Sequence, residues 1–426
     1  MAVPQRSTAL GTVAAFVTAA AYLPGSGRAF DYDGSVTVAN FVRTKSLLDP
    51  FRRQVVFNNH PAFSFIEHVV YSVTGSTSSW AMRVLPIGAA AACVGLLVCV
   101  VARRLGPAIG VTAGALLATN PVFLETAREV RGYSLVCLCG LAATVLLLDL
   151  ERSSSRAKSI GYVAALTLGL ATHLYTALVL LGHVTWLWTR RRISPEWRTR
   201  WLVVTVLGLT VYLGILAMMV DAARGRVFRP EFPTMLAGEL LGRQPVAVAI
   251  TAAGVAVALW RYRTRRETRS LAALYVAGVV LLWLLAPRDL FPRFFVWSVP
   301  AVALAAAVGL TSIRLRALVL VAALVALLPS LHGYRSDLMI NRVAAPYVKS
   351  VQARGGNACG IGFATETLPA YVDGVHPVAR ADQLGGCAIS VAVLPKVDAA
   401  LVAVAERVYP HRRWLRARIP GVLFWR

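Results

Sequence analysis

The sequence predicts an all-α polytopic membrane protein of about eleven helical spans, followed by a small soluble α/β unit. Three observations carry that prediction. The 426 residues are 57% hydrophobic and only 15% charged, whereas a soluble domain is close to ~25% charged; the mean hydropathy is +0.63. Apolar runs of roughly 15 to 22 residues recur from end to end, and about 20 residues at 1.5 Å rise match a ~30 Å hydrocarbon layer. The runs are continuous rather than alternating, which excludes a β-barrel, the other structure that satisfies its own backbone in lipid. Finally, the basic residues fall in short clusters between the runs: Arg103 and Arg104; Arg152, Arg156 and Lys158; Arg190 to Arg192 with Arg198 and Arg200; Arg261 to Arg269; Arg314 and Arg316. This is the positive-inside pattern, so the net charge of +24 reports topology rather than nucleic-acid binding.

With those clusters in the cytoplasm, the elements follow in order. A first span over residues 8–23 lacks a small-x-small cleavage site before Asp31 and is read as uncleaved. A long outer loop covers 24–80. Spans over 81–101, 107–123 and 133–150 flank the short outer loop "LETAREVRGYSL". The stretch 160–188 has basic clusters at both ends, so it crosses an even number of times. That leaves two helices of about 14 residues, short for a bilayer. Their apex, "ATHLYT", is expected to sit below the outer surface, where polar backbone is tolerated only inside protein or beside water. Further spans cover 201–220, the stretch up to 260, the stretch up to 287, 294–310, and a last one up to 329. The N-terminus is then inside and the C-terminus outside, with a membrane domain over 1–330 and a soluble unit over 331–426. In that unit "ACGIGFAT" and "CAISVAVLP" read as strands and "AALVAVAERVY" as a helix. Cys359 and Cys387 lie there, free to pair as a disulfide outside the cytoplasm. Cys93, Cys99, Cys137 and Cys139 lie in apolar runs as small hydrophobic residues. No spacing resembles a metal site. Arginine far exceeds lysine and alanine and valine abound, the composition of a GC-rich bacterium, which implies a plasma-membrane setting.

The chemistry collects on one side. Asp31, Asp33, His60, Glu67, His68, Glu125, Arg128, Glu129, Arg131, Asp221, Arg288, Asp289 and Arg293 all fall on the outer side, while span centres are nearly free of charge. A carrier places ionisable groups at mid-span instead. An outer carboxylate can act as general base towards a hydroxyl, and arginines can clamp a phosphate leaving group. Beside a lipid wall, that combination fits sugar transfer from a polyprenyl-phosphate donor. There is no glycine-rich loop for a nucleotide.

Four stretches, in order, resemble a known family: "DYDGSVTVANFV", "NNHPAFSFIEH", "AREVRGYSL" and "PRFFVWSVPAVALAAAVGL". The chain resembles the GT-C class of integral-membrane glycosyltransferases, on the branch related to protein mannosyltransferases and lipid A sugar transferases. The resemblance covers about residues 10 to 315. It implies a GT-C fold, a polyprenyl-phosphate sugar donor, and a glycan, glycolipid or protein acceptor in cell-envelope assembly. It implies that Asp33, which keeps the spacing to Thr37, is the catalytic base, with Asp31 as a second carboxylate. Gly34 stands where the family usually has Glu, which puts a divalent cation (Mg or Mn) in doubt, although Asp31 could compensate. Arg128 and Arg131, three apart and on one face if helical, are expected to grip the donor phosphate, and Arg293 to meet the lipid phosphate. His60, Tyr133, His173 and Tyr175 are the remaining candidates for substrate contact. Against each stands a plain structural role: a solvated or capping acid, an interfacial anchor, a turn residue. The alternatives in function are a transporter or flippase of lipid-linked sugars and a non-catalytic assembly partner.

Overall fold

The computed structural model describes residues 3–53, 60–224, 230–285, 291–312, 321, 325, 341–393, 399–415 and 421–426. Most of these are helical. The first helix, α1 (Val3–Tyr22), lies along α5 (Val84–Leu105). Their closest approach is at paired glycines, where a Cβ on Gly11 would sit 2.6 Å from the Gly95 carbonyl oxygen. Small residues let backbones close in where lipid gives no hydrophobic drive between helices. The same device joins α14 (Pro245–Arg261) to α16 (Val299–Leu310), through Gly254 and Gly309.

Between α1 and α5 the long loop is itself built. It holds a short α2 (Tyr32–Thr37) that runs on into a π turn (Val38–Val42), then α3 (Asp49–Arg52) and α4 (Pro61–Thr74). Pro61 at the first helical position suits α4, since its missing N–H has no partner there anyway. After α5 come α6 (Pro107–Thr119), α7 (Pro121–Ala127) and α8 (Tyr133–Leu150), then α9 (Arg156–Thr172) and α10 (Thr176–Thr189). These last two are the paired short helices expected over 160–188. Their apex is buried, with Thr172, His173 and Thr176 each at most 5% exposed. Next are α11 (Pro195–Thr210), α12 (Leu216–Arg224), α13 (Phe232–Leu241), α14 and α15 (Arg266–Leu285), and a 3-10 turn (Pro292–Ser298) that leads into α16.

The count of about eleven spans is not confirmed among the described residues. Among the described residues three helices are long and apolar enough to cross a membrane: Ala81–Leu105, Tyr133–Leu150 and Pro292–Leu310. Counting each bent pair as one span gives up to six. The reason is local. Apolar runs that read as single spans break at helix-ending residues, as at Asn120 and Pro121, where the axis turns by 65°. Asn120 caps α7 through the Phe123 N–H (3.1 Å) and donates to the Leu240 carbonyl (2.9 Å), so the break also ties α13 in place. The final span and the 330/331 boundary lie outside the described residues.

The C-terminal unit is α/β as expected. It comprises α17 (Asn341–Gln352), β1 (Ala358–Gly362), α18 (Phe363–Thr367), β2 (Val375–Val378), β3 (Ile389–Val393), α19 (Ala399–Val408), β4 (His411–Leu415) and β5 (Gly421–Trp425). The sheet order is β2-β1-β3-β5-β4, parallel across the first three strands and antiparallel across the last two pairings. The two strands and the helix read from the sequence are β1, β3 and α19, and Cys359 and Cys387 form a disulfide. The sequence reading missed β2, β4 and β5. They are short, and β4 is largely exposed, so no apolar run marks it.

This unit rests on the loop that carries α2. The Tyr371 hydroxyl accepts from the Phe30 N–H (2.5 Å), and Arg43 donates to both Asp373 carboxylate oxygens (2.7 Å each) and to the Pro369 carbonyl (2.7 Å). Tyr32 donates to Glu366.

Candidate active site

The site begins with the capping of α2. Asp31 is its N-cap, and its Oδ1 accepts from the Gly34 N–H at 2.9 Å. A Cβ at position 34 would lie 2.6 Å from that same oxygen. A side chain at position 34 would make that carboxylate oxygen shift, and a cap of this kind contributes about 1 kcal/mol. Asp31 thus spends its carboxylate on backbone. Asp33, in the first turn, is left to face inward. The segment is helical, so the strand geometry that would set the two acids on opposite faces does not arise.

Asp33 meets Arg293. The Arg293 Nη2 donates to Asp33 Oδ2 at 2.6 Å, and its Nη1 lies 3.9 Å from Glu129 Oε1. Arg131 donates to the Thr37 hydroxyl one helical turn from Asp33 (3.3 Å). Burial by itself would raise the Asp33 carboxyl; the charges of Arg131 and Arg293 outweigh it and hold the group below the usual carboxylate range. Glu129 goes the other way. Burial, only partly opposed by Arg293 and reinforced by Asp31, Asp33 and Glu125, pushes it up to about 8. Arg293 thus faces two acids whose surroundings push them in opposite directions. Glu129 was noted in the sequence as an outer acid but not chosen. The available signal was its position between two chosen arginines in "AREVRGY".

Below these charges lies an aromatic wall. The His60 ring packs edge-on against Tyr133 (4.6 Å between centroids) and against His173 (4.9 Å). Tyr175 stacks on Phe294 (5.4 Å), which also touches His173 (5.7 Å) and Tyr133 (6.4 Å). Phe294 was not picked out from the sequence. Gly132 permits this closeness: a Cβ there would sit 2.3 Å from the Thr172 methyl and 3.2 Å from His60 Nδ1. His173 Nδ1 accepts from the Tyr175 N–H (3.2 Å), which leaves the ring proton on Nε2. That Nε2, the Tyr133 hydroxyl, and the hydroxyls of Thr172 and Thr176 are buried with no hydrogen-bond partner among the described residues. Burial first, then the charge of Arg131, hold the His60 imidazole well below its ordinary range, so it is neutral. Buried polar groups left unmatched in this number mark a place where something polar binds.

Arg128 does not join this set. Helix α7 ends at Ala127 and α8 begins at Tyr133, so Arg128 and Arg131 share no helix face. Arg128 turns to the end of α1, where it donates to the carbonyls of Tyr22 (3.1 Å) and Ala21 (3.0 Å) and lies over the Tyr22 ring. It satisfies acceptors that a helix C-terminus otherwise leaves open. The sequence reading also passed over Arg83. It is 1% exposed and donates to the carbonyls of Ser26, Arg28, Ala29 and Arg128, fastening the stretch that leads into α2.

Among the described residues no three His, Cys, Asp or Glu gather as ligands. Asp31 is used by backbone, and Arg293 stands between Asp33 and Glu129, where a metal ion would otherwise balance them.

The family model for dolichyl-phosphate-mannose-protein mannosyltransferases matches residues 58–219, less than half of the chain. No curated protein matches. Among solved structures, ArnT from Cupriavidus metallidurans, bound to undecaprenyl phosphate, superposes with a TM-score of 0.64 at 14% identity, over 97% of each chain. The arabinofuranosyltransferase AftD from Mycobacteria gives 0.55 at 16% identity, over 99% of this chain but only 40% of that one. The Archaeoglobus fulgidus oligosaccharyltransferase gives 0.57 at 10% identity, over 90% and 68%. At these identities the likeness is one of fold. The chain therefore shares the fold of these membrane glycosyltransferases, and its residues 58–219 match the mannosyltransferase family model.

Proposed function

We propose that this protein transfers a sugar from a polyprenyl-phosphate carrier to an acceptor hydroxyl at the outer face of a bacterial plasma membrane, in the assembly of envelope glycan or glycolipid. The observation that carries this reading is the Asp33–Arg293 pair (2.6 Å), set beside Arg131. A phosphate of the donor competes with Asp33 for Arg293. Once the phosphate takes the guanidinium, Asp33 loses the partner that suppresses its basicity and becomes competent to accept a proton. The acceptor O–H then gives its proton to Asp33, the acceptor oxygen bonds to the anomeric carbon, and the anomeric C–O bond to phosphate breaks. The lipid phosphate leaves with the electron pair, stabilised by Arg293 and Arg131. The unmatched Tyr133 and Thr172 hydroxyls and His173 Nε2 are placed to bond sugar hydroxyls, with His60, Tyr175 and Phe294 as the apolar wall. That ArnT, of the same fold, holds undecaprenyl phosphate supports the choice of donor. A carrier function draws no support from the span interiors. His183, buried there, is occupied on both nitrogens by Thr144 (3.0 Å) and Tyr162 (3.2 Å).

The test is a purified, reconstituted assay with a panel of radiolabelled polyprenyl-phosphate sugars. Asp33→Asn should abolish turnover, by roughly 10²-fold or more for loss of a general base, with donor binding and folding retained. Near-normal turnover would sink the assignment. In the same assay a chelator should leave turnover unchanged, because Arg293 rather than a metal balances the acids.

A further inference from the structure

At the opposite end of the helices from Asp33 lies a separate cavity of about 480 Å³, lined by Arg103, Arg104, Asp149, Arg152, Ser153 and Lys158. The spacing from the site follows from the elements. Helix α8 starts at Tyr133 and runs 18 residues to Leu150, so the cavity is about 27 Å from the aromatic wall. Helix α5, with 22 residues, gives about 33 Å from Arg83. Those lengths bracket the thickness of the hydrocarbon layer.

Four cations line the cavity and one acid offsets them: Asp149 pairs with Arg104 at 2.5 Å. Among the described residues the Arg104 Nε is buried with no hydrogen-bond partner, and Lys158 donates to the neutral Ser153 hydroxyl (2.7 Å). The adjoining N-terminus of α9 has no side-chain cap, so its first-turn N–H groups add to the positive field. The other basic turns differ. Arg192 pairs with Glu151 (3.3 Å), Arg263 lies on Trp260 (3.8 Å) and Arg265 over Tyr262 (5.0 Å). Leu105 and Ile160 follow the cluster in sequence on either side and are 49% and 60% exposed, an apolar surface beside the cationic one.

We propose that this cavity binds the phosphate headgroup of an anionic phospholipid in the leaflet opposite the Asp33 site, with acyl chains along Leu105 and Ile160. A free phosphate would need the cations but not that apolar border. Basic pockets between spans at a bilayer surface hold such headgroups through the same combination.

Native mass spectrometry of the purified full-length protein, titrated with phosphatidylglycerol or phosphatidylcholine, tests this. Phosphatidylglycerol should bind more tightly, and the triple variant R103Q/R152Q/K158Q should lose roughly tenfold or more of that affinity. R103K/R152K, which keeps the charge, should retain most of it, as should R261Q/R263Q, altered at another basic turn. Should the triple variant fail to fold, K158Q alone should still lose about fivefold. Three results would each overturn the proposal: equal affinity for the two lipids, an equal loss in R261Q/R263Q, or inorganic phosphate that binds as tightly and displaces the lipid.

Discussion

At Asp33, burial and two guanidiniums pull in opposite directions, and the guanidiniums win. Its carboxylate therefore stays ionised to lower pH than a free aspartate. Because the base must be unprotonated to act, the acid limb of kcat/KM, which reports the free enzyme, should lie below the ordinary carboxylate range. Arg131 and Arg293 both contribute, Arg293 also through its hydrogen bond. Arg131→Gln should therefore move that limb upward. A pH–rate profile in reconstituted membranes decides it, and an unmoved limb would separate Asp33 from the rate-limiting proton transfer. Position 34 carries a lesson of the same scale. In sequence Gly34 reads as a lost acid, whereas in the fold it is the space that Asp31 needs in order to cap α2.

Among the elements, the segment 128–132 shows how a short irregular stretch sorts side chains that a helix would have kept together. Arg128 goes to α1, Arg131 to α2, Glu129 to Arg293. From this placement, substitution of Arg128 should read out as stability. Arg128→Ala removes hydrogen bonds to the Ala21 and Tyr22 carbonyls and should cost about 1–3 kcal/mol, seen as a lower unfolding midpoint in detergent, with donor affinity in the surviving fold close to wild type. Arg293→Ala should do the reverse, losing donor binding with little loss of midpoint. If Arg128→Ala lost donor binding with its midpoint unchanged, the phosphate role first expected for it would be restored.

For the whole molecule, the C-terminal unit is not a free appendage. Its helix α18 and the following turn hold the loop of α2 through Glu366, Tyr371 and Asp373. The Arg43–Asp373 pair is exposed on its acid side (87%), so it contributes at most about 1 kcal/mol. The disulfide closes a separation of 28 residues and is worth more, about 2–4 kcal/mol. Cys359→Ser should raise hydrogen exchange in 358–393 while leaving α5 and α8 protected, and turnover should fall with it because α2 loses its support. Raised exchange with unchanged turnover would mean that the unit only covers the site.

Much of this was legible in the chain itself. Helical membrane character follows from run length against bilayer thickness. The two central strands and the cysteine pair follow from local pattern and setting. These are properties that a short window of sequence contains. What only the tertiary structure decided is which distant groups meet. Asp33 and Arg293 are 260 residues apart, and they are brought together by glycine-to-glycine helix contacts and by a buried Arg83 that bonds backbone carbonyls, neither of which has a periodic signature. The shorter count of spanning helices among the described residues has a related reason. Hydropathy measures how apolar a run is, while Asn120 and Pro121 determine whether it continues as one helix. The division of labour between Arg128 and Arg131 had the same origin: their spacing fits a helix face, but the backbone between them is not helical, and each guanidinium goes to the acceptors that packing places within its reach.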